Sequence, residues 1–260
     1  MIGIGIDIGS TAAKAAVVDG EGSVAWTCVR PTGFSSVDAS ERLREALAAA
    51  GYDVTADDVR VIATGYGRVA VPYAHKVVTE ITCHGTGAVR LFGDHGTVID
   101  VGGQDTKVIT IKDGRVAKFA MNDKCAAGTG RFYEAMARSF EMSLPEFSNL
   151  SLTAKNVIPI TAQCTVFAES EVITLVGEGK PMDEIAAGIQ MAVAKRCFVM
   201  AKKAGATDAI TLTGGCAKNA GLKQAIERVL KLKVIDLKTD PQLMGALGAA
   251  EYARQKGMAR

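Results

Sequence analysis

The sequence predicts an α/β fold made by internal duplication, two similar half-domains facing each other across a cleft. Three observations predict it. The segment IGIGIDIGSTAAKAAVVDG at 2–20 returns as VIDVGGQDTKVITIKDG at 98–114, with Asp7 matching Asp100, Gly9 matching Gly102 and Lys14 matching Lys107. Each copy reads as an apolar strand, a Gly-rich turn, a second strand and a DG turn, which is the pattern of β-hairpins in series. A third Gly-rich element, TGGCAKN at 213–219, follows an apolar strand and precedes a helical pattern at 222–230.

The remaining elements follow in order along the chain. Residues 1–80 form the first half-domain and include a helix at 40–50. Residues 81–94, within the helical stretch 80–92, connect it to the second half at 95–242. The small-residue helix at 243–260, with PQLMGALGAAEYA at its start, returns to the first half. The interval 121–199 is longer than the duplicated core requires, so a specialised function is expected there. Composition narrows the function classes. In 260 residues, 48% are hydrophobic and 22% charged, which excludes disorder. A net charge of +2 gives no electrostatic case for nucleic acid or an anionic membrane. The apolar runs fall short of the roughly 20 residues a spanning helix needs. The start, MIGIGIDIGSTAAK, has no basic n-region and no cleavage site, so no signal peptide is read and a cytoplasmic location is expected.

Gly-rich turns after apolar strands cradle phosphates through backbone N–H groups. The chain has no GxxxxGK[ST], and its first turn returns as a strand rather than opening a helix, so neither a Walker A loop nor a dinucleotide fingerprint fits. Instead, the turns and the final helix, in this order, resemble the actin, sugar-kinase and heat-shock-chaperone superfamily. That resemblance implies an actin-like/sugar-kinase-like (ribonuclease H-like) core holding ATP or ADP with magnesium. It assigns Gly9, Ser10, Thr11, Ala12, Ala13 and Lys14 to the first phosphate loop. It assigns Gly102, Gly103, Gln104 and Asp105 to the second, and Gly214, Gly215, Asn219 and Gln242 to the adenosine. Asp7 and Asp100 suit a magnesium that keeps most of its waters. Gln104 is placed to orient the attacking water. His75, His84 and His95 are read as structural.

The six cysteines form no CxxC, and disulfides are not expected in a cytosolic chain. Two stand before helical patterns in the long interval, in NDKCAAGTGRF (Cys125) and QCTVFAESEV (Cys164). A helix N-terminus stabilises a thiolate, and Glu169 and Glu171 sit early in their helix as its dipole prefers. By spacing alone the pair reads either as two inert buried thiols or as half of an iron–sulfur ligand set that a symmetric dimer would complete.

The motifs ATGYGR, TEITCHGTGA, VIDVGGQDTKV, NDKCAAGTGRF, CTVFAESEV and GALGAA together resemble the ATP-dependent activators of 2-hydroxyacyl-CoA dehydratases, the BadF/BadG/BcrA/BcrD type, over essentially the whole chain. The resemblance implies a homodimer holding one 4Fe–4S cluster through Cys125 and Cys164 of each copy. It further implies a ferredoxin or flavodoxin donor, and single low-potential electrons passed to a partner iron–sulfur enzyme. That partner is a dehydratase, an aromatic-ring reductase or a double-cubane protein. Cys28, Cys83, Cys197 and Cys216 are read as structural. Two other classes share the ATP core: a cluster-free small-molecule kinase, with Asp105 as its one candidate base, and a chaperone-like interaction module.

Overall fold

The computed structural model describes residues 1–162 and 164–256. In chain order its strands and helices are β1 (Ile2–Ile8), β2 (Ala12–Val18), β3 (Val24–Pro31), α1 (Ser36–Ala49), β4 (Val59–Thr64), β5 (Lys76–Val77) and α2 (Glu80–Phe92). There follow β6 (Gly96–Val101), β7 (Thr106–Lys112), β8 (Arg115–Asn122), α3 (Gly130–Ser139), α4 (Leu144–Leu152), α5 (Thr165–Gly177) and α6 (Met182–Ala204). The chain closes with β9 (Ile210–Thr213), α7 (Ala220–Leu230), β10 (Val234–Ile235) and α8 (Met244–Lys256). Two compact units result. One comprises Met1–His95, Ile111–Val116 and Leu237–Arg260; the other comprises Gly96–Thr110 and Ala117–Asp236.

The first unit carries a sheet in the order β3-β2-β1-β4-β5, with β1 antiparallel to β2 and parallel to β4. The alternation in IGIGIDI explains what lies on each face, because successive side chains of a strand point to opposite sides. Ile4, Ile6 and Ile8 are fully buried with Leu43 and Leu47 of α1. Gly3 and Gly5 face α8, and a Cβ on either would collide with the backbone of Ala250 or Ala246. The small residues of GALGAA are therefore a packing surface: α8 lies against β1 and α2, and Gly248 abuts the Cys83 carbonyl. Helix α1 starts before the expected position because the Ser35 hydroxyl accepts the Asp38 N–H at 3.2 Å and caps it there.

The second unit repeats the plan, with strand order β10-β9-β6-β7-β8 and β6 parallel to β9. Its core joins Ile99, Val101 and Val108 of the sheet to Phe132, Tyr133 and Met136 of α3, Phe147 of α4 and the buried stripe of α6. Phe140 and Phe147 meet edge to face with centroids 5.3 Å apart. The two DG pairs close their hairpins differently. Asp113 (φ 50°) and Gly114 (φ 67°) both take positive φ, the requirement of a tight two-residue hairpin turn. Asp19 opens a longer loop, its carboxylate accepting the N–H groups of Glu21 and Ser23 at 3.0 and 2.7 Å. Among the described residues no helix is long and apolar enough to cross a membrane.

Candidate nucleotide and cysteine sites

In the first unit, Asp7 is the penultimate residue of β1, on the face turned toward α8. The β1–β2 register sets it opposite Lys14, and the two form an ion pair at 2.9 Å. Asp7 is 4% exposed and hemmed by glycine. A Cβ on Gly65 (φ 92°) would strike Asp7 Oδ1, and one on Gly245 would stand 2.6 Å from Oδ2. ATGYG and GALG, remote in sequence, thus converge on one carboxylate. The turn beyond it is held by its own backbone, Gly9 N–H to Ala12 O at 3.0 Å. Thr32 anchors it further, its hydroxyl donating to Gly9 O at 2.7 Å and its N–H to Thr11 O at 2.9 Å. Thr11 is exposed and Ser10 half-buried, so both hydroxyls can meet a ligand; the Ala13 methyl is buried in the core, leaving only backbone there. Gln242 lies in the short turn before α8, its N–H donating to Asp240 Oδ1 at 2.9 Å.

The second unit reproduces the pair. Lys107, 2% exposed, stands 3.6 Å from Asp100 and 2.5 Å from Asp105. Asp100 also accepts the Thr213 hydroxyl at 2.8 Å, which ties the second turn to the strand end before Gly214. Gly214 (φ 82°) crosses so close to the Val101 backbone that no side chain fits. Gln104 stands exposed at the tip of its turn. Asp7 and Asp100 are each buried carboxylates, and carboxylate oxygen is the hard donor type that magnesium takes. The Asn219 side chain is engaged within the protein. Its Oδ1 accepts the Leu222 N–H at 3.0 Å, the Ser148 hydroxyl at 2.9 Å and the Gln190 amide at 3.1 Å, so it caps α7 and ties that helix to α4 and α6.

The cysteine loops occupy the same unit. Cys125 and Cys164 are exposed, whereas Cys83, Cys197 and Cys216 are buried and Cys28 lies between. Burial pushes each of the three buried thiols up to about 12, which keeps them protonated and poor metal ligands. Cys125 and Cys164, as exposed thiols, are of the donor type that an iron–sulfur cluster takes. Cys164 is the N-cap residue of α5. The segment before it is clamped by Glu171, which accepts the N–H groups of Thr161 and Ala162 at 2.9 and 2.8 Å and the Thr161 hydroxyl at 2.9 Å. Burial acts to raise the Glu171 pKa, but these bonds prevail and hold it below the usual carboxylate value. Gln163 lies outside the described residues.

Cys125 stands five residues ahead of α3, in a loop fixed by Asn122 Nδ2 donating to Cys125 O at 2.9 Å and by the Thr106 hydroxyl donating to Gly128 O at 2.7 Å. The first α3 amides do not point at the thiol. Gly130 N–H donates to Gly102 O at 2.8 Å and Arg131 N–H to Gly103 O at 2.9 Å. The expectation of an α3 dipole directed at Cys125 is revised accordingly: the Gly102–Gly103 turn occupies that helix end. Asp105, the base a kinase would need, is instead ion-paired with Lys107.

A model of the BadF/BadG/BcrA/BcrD ATPase family matches residues 4–253. The chain belongs to this family. It is 43% identical over 256 residues, 97% of each chain, to an activator of lactoyl-CoA dehydratase from Anaerotignum propionicum. The crystal structure of component A of the (R)-2-hydroxyglutaryl-CoA dehydratase of Acidaminococcus fermentans superposes with a TM-score of 0.91 at 37% identity, covering 98% of both chains. The activator of the 2-hydroxyisocaproyl-CoA dehydratase of Clostridium difficile, solved with bound ADPNP, gives 0.89 at 38% identity, covering 98% of this chain and 95% of that one. ROK-family sugar kinases at 16–17% identity share the fold alone, with TM-scores of 0.54–0.60. The duplicated actin-like, sugar-kinase-like ATPase core expected from the repeat is thus the fold of this ATPase.

Sequence reasoning missed several residues that build these sites. Gly65 and Gly245 shape the cradle of Asp7, Thr32 anchors the first turn, and Lys107 and Thr213 fix Asp100. Lys107 left a signal as the match of Lys14 in the repeat, and Gly65, Thr213 and Gly245 lie in the motifs ATGYGR, TGGCAKN and GALGAA, whereas Thr32 left none.

Proposed function

We propose that this ATPase couples ATP–Mg hydrolysis to single-electron delivery onto a partner iron–sulfur enzyme. The partner class is the one its activator relatives serve, a 2-hydroxyacyl-CoA dehydratase. The observation that carries this reading is the exposure of Cys125 and Cys164, in one unit with the second phosphate turn, while three other thiols are buried and held protonated.

Two thiols per chain call for two chains, because a 4Fe–4S cluster takes about four cysteine ligands. A twofold homodimer supplies them from Cys125 and Cys164 of each copy. Bound there, the cluster supplies storage and release of one low-potential electron, received from a ferredoxin or flavodoxin. The surface beside Cys164 supports the second copy. On α5, Val166 and Ile173 are 66% and 58% exposed on one side, with Phe167 at 69% on its flank. An apolar patch of this kind next to polar surface marks an interface.

The remaining residues hold and sense the nucleotide. Ser10, Thr11 and the backbone of Gly9, Ala12 and Ala13 receive phosphate oxygens, with Lys14 as the cation. Asp7 and Asp100 receive the water shell of magnesium, and Gln104 orients the attacking water. Gly214 and Gly215 let the backbone approach the adenosine, Gln242 is a further residue for it, and Asn219 holds the glycine turn at the head of α7. A phosphate engaging Gly102–Asp105 moves the carbonyls that cap α3, so nucleotide state reaches the Cys125 loop through the main chain. A cytoplasmic location belongs to the same reading. Iron, sulfide and mass analysis of anaerobically purified protein tests it: one 4Fe–4S cluster per two chains is expected. An iron-free protein that still hydrolyses ATP would overturn it.

A further inference from the structure

A permanent cation packs against the backbone of the loop that carries Cys125. Arg196 lies on α6, and its guanidinium carbon is 5.7 Å from the ring centroid of Phe132, which is fully buried on α3. Its stem runs along the loop itself: a Cβ on Gly128 would be 3.2 Å from Arg196 Cδ. Gly128 has φ 90°, a conformation that side chains resist, so the loop backbone there is bare and the arginine packs on it. Burial draws the Arg196 pKa down, and the Cys125 sulfur is the foremost charge opposing that. A guanidinium remains charged throughout.

Lys124, next to Cys125 in the chain, has a side chain 89% exposed and 3.6 Å from Asp123. Water screens a charge in that position. Arg196 is half-buried, where the same charge acts through a lower dielectric and carries further. The contact with the Phe132 ring favours a side chain lying over α3.

We propose that Arg196 is a positioning residue for the Cys125 ligand, a fixed positive charge that makes the cluster easier to reduce. The inference rests on the cluster reading above. An added electron makes the cluster more negative, and a nearby cation favours that state, because net charge and its surroundings set such potentials. Arg196 thereby governs how readily the donor loads the electron and how strongly the protein passes it on.

The test uses the full-length holoprotein, purified anaerobically, with Arg196→Gln and Arg196→Lys beside it. Iron and sulfide content and the midpoint potential, from a redox titration followed by electron paramagnetic resonance, are the readouts. Arg196→Gln is expected to keep its iron and titrate at a more negative potential, while Arg196→Lys stays near the parent. A fully loaded Arg196→Gln with an unshifted midpoint overturns the proposal. If Arg196→Gln loses the cluster, Arg196→Lys decides. Retained iron at the parent midpoint supports the charge, and loss of iron there too assigns Arg196 to packing and overturns it. An iron-free parent would overturn the cluster reading and this inference together, whereas an unshifted loaded variant removes this inference alone.

Discussion

The amide of Gly130, first residue of α3, donates to the carbonyl of Gly102 in the second phosphate turn at 2.8 Å, and Arg131 repeats the contact one residue on with Gly103. The opening amides of a helix have no partner within it, so these carbonyls serve as its cap. Two main-chain hydrogen bonds thus join the Gly102–Gly103 turn to the start of α3, five residues after Cys125.

Gly130→Ala should disturb this junction from the helix side. Its Cβ would stand 3.2 Å from Gly103 Cα and 3.3 Å from Gly102 O, closer than backbone neighbours accept without moving. The variant is expected to retain iron and bind ATP more weakly by calorimetry. Parent-like affinity would separate the turn from the helix.

Cys125→Ser and Cys164→Ser should each abolish the cluster while leaving ATP binding largely intact, because the phosphate turns do not depend on either thiol. Iron analysis beside nucleotide calorimetry checks this. Normal iron in either variant would exclude that residue as a ligand.

Asp7→Asn and Asp100→Asn should lose magnesium-dependent hydrolysis and keep their iron. Gly245→Ala should behave like Asp7→Asn, since its Cβ would press to 2.6 Å from Asp7 Oδ2. Steady-state ATPase assays at varied magnesium are the measurement, and full activity in both aspartate variants would remove the carboxylates from the site.

Glu251 supplies a pH-dependent test of the α2–α8 packing. It pairs with Arg90 at 2.7 Å and with Arg254 at 2.6 Å, both in the first unit. Burial acts to raise its pKa, but the bonds from Arg254 and Gln255 and the charges of Arg254 and Arg90 prevail and lower it below 4.5. A depressed carboxylate contributes its full stability above the unfolded value and loses it as pH falls through the folded one. Urea melts of Glu251→Gln should show a loss of about 1–2 kcal/mol at pH 7, discounted for partial exposure, that shrinks below pH 4.5. A pH-independent difference would contradict the assignment.

The duplicated hairpins were legible in the sequence because strand, turn and second strand are local, and the matched Asp and Lys survive as the Asp7–Lys14 and Asp100–Lys107 pairs. The cradle of Asp7 was not legible. Gly65 and Gly245 approach it from β4 and α8, and nothing in the local pattern of a glycine says which distant carboxylate it makes room for. The resemblance assigns Asn219 to the adenosine, and the helix partners that engage its side chain, Ser148 and Gln190, carry no sequence signal because they lie on other helices. Cys125 and Cys164 were legible as a pair of motifs. Their exposure, which sets them apart from Cys83, Cys197 and Cys216, needed the packing of the whole unit.

The central claim is that nucleotide state reaches the cysteine loops. The most direct measurement is the rate at which a chelator removes iron from the anaerobic holoprotein, with ADP and with a non-hydrolysable ATP analogue. The account predicts different rates for the two nucleotides, and a smaller difference in Lys14→Ala, where the phosphate loop has lost its cation. Equal rates in every nucleotide state, with binding confirmed by calorimetry, would show a cluster site indifferent to ATP and contradict the coupling.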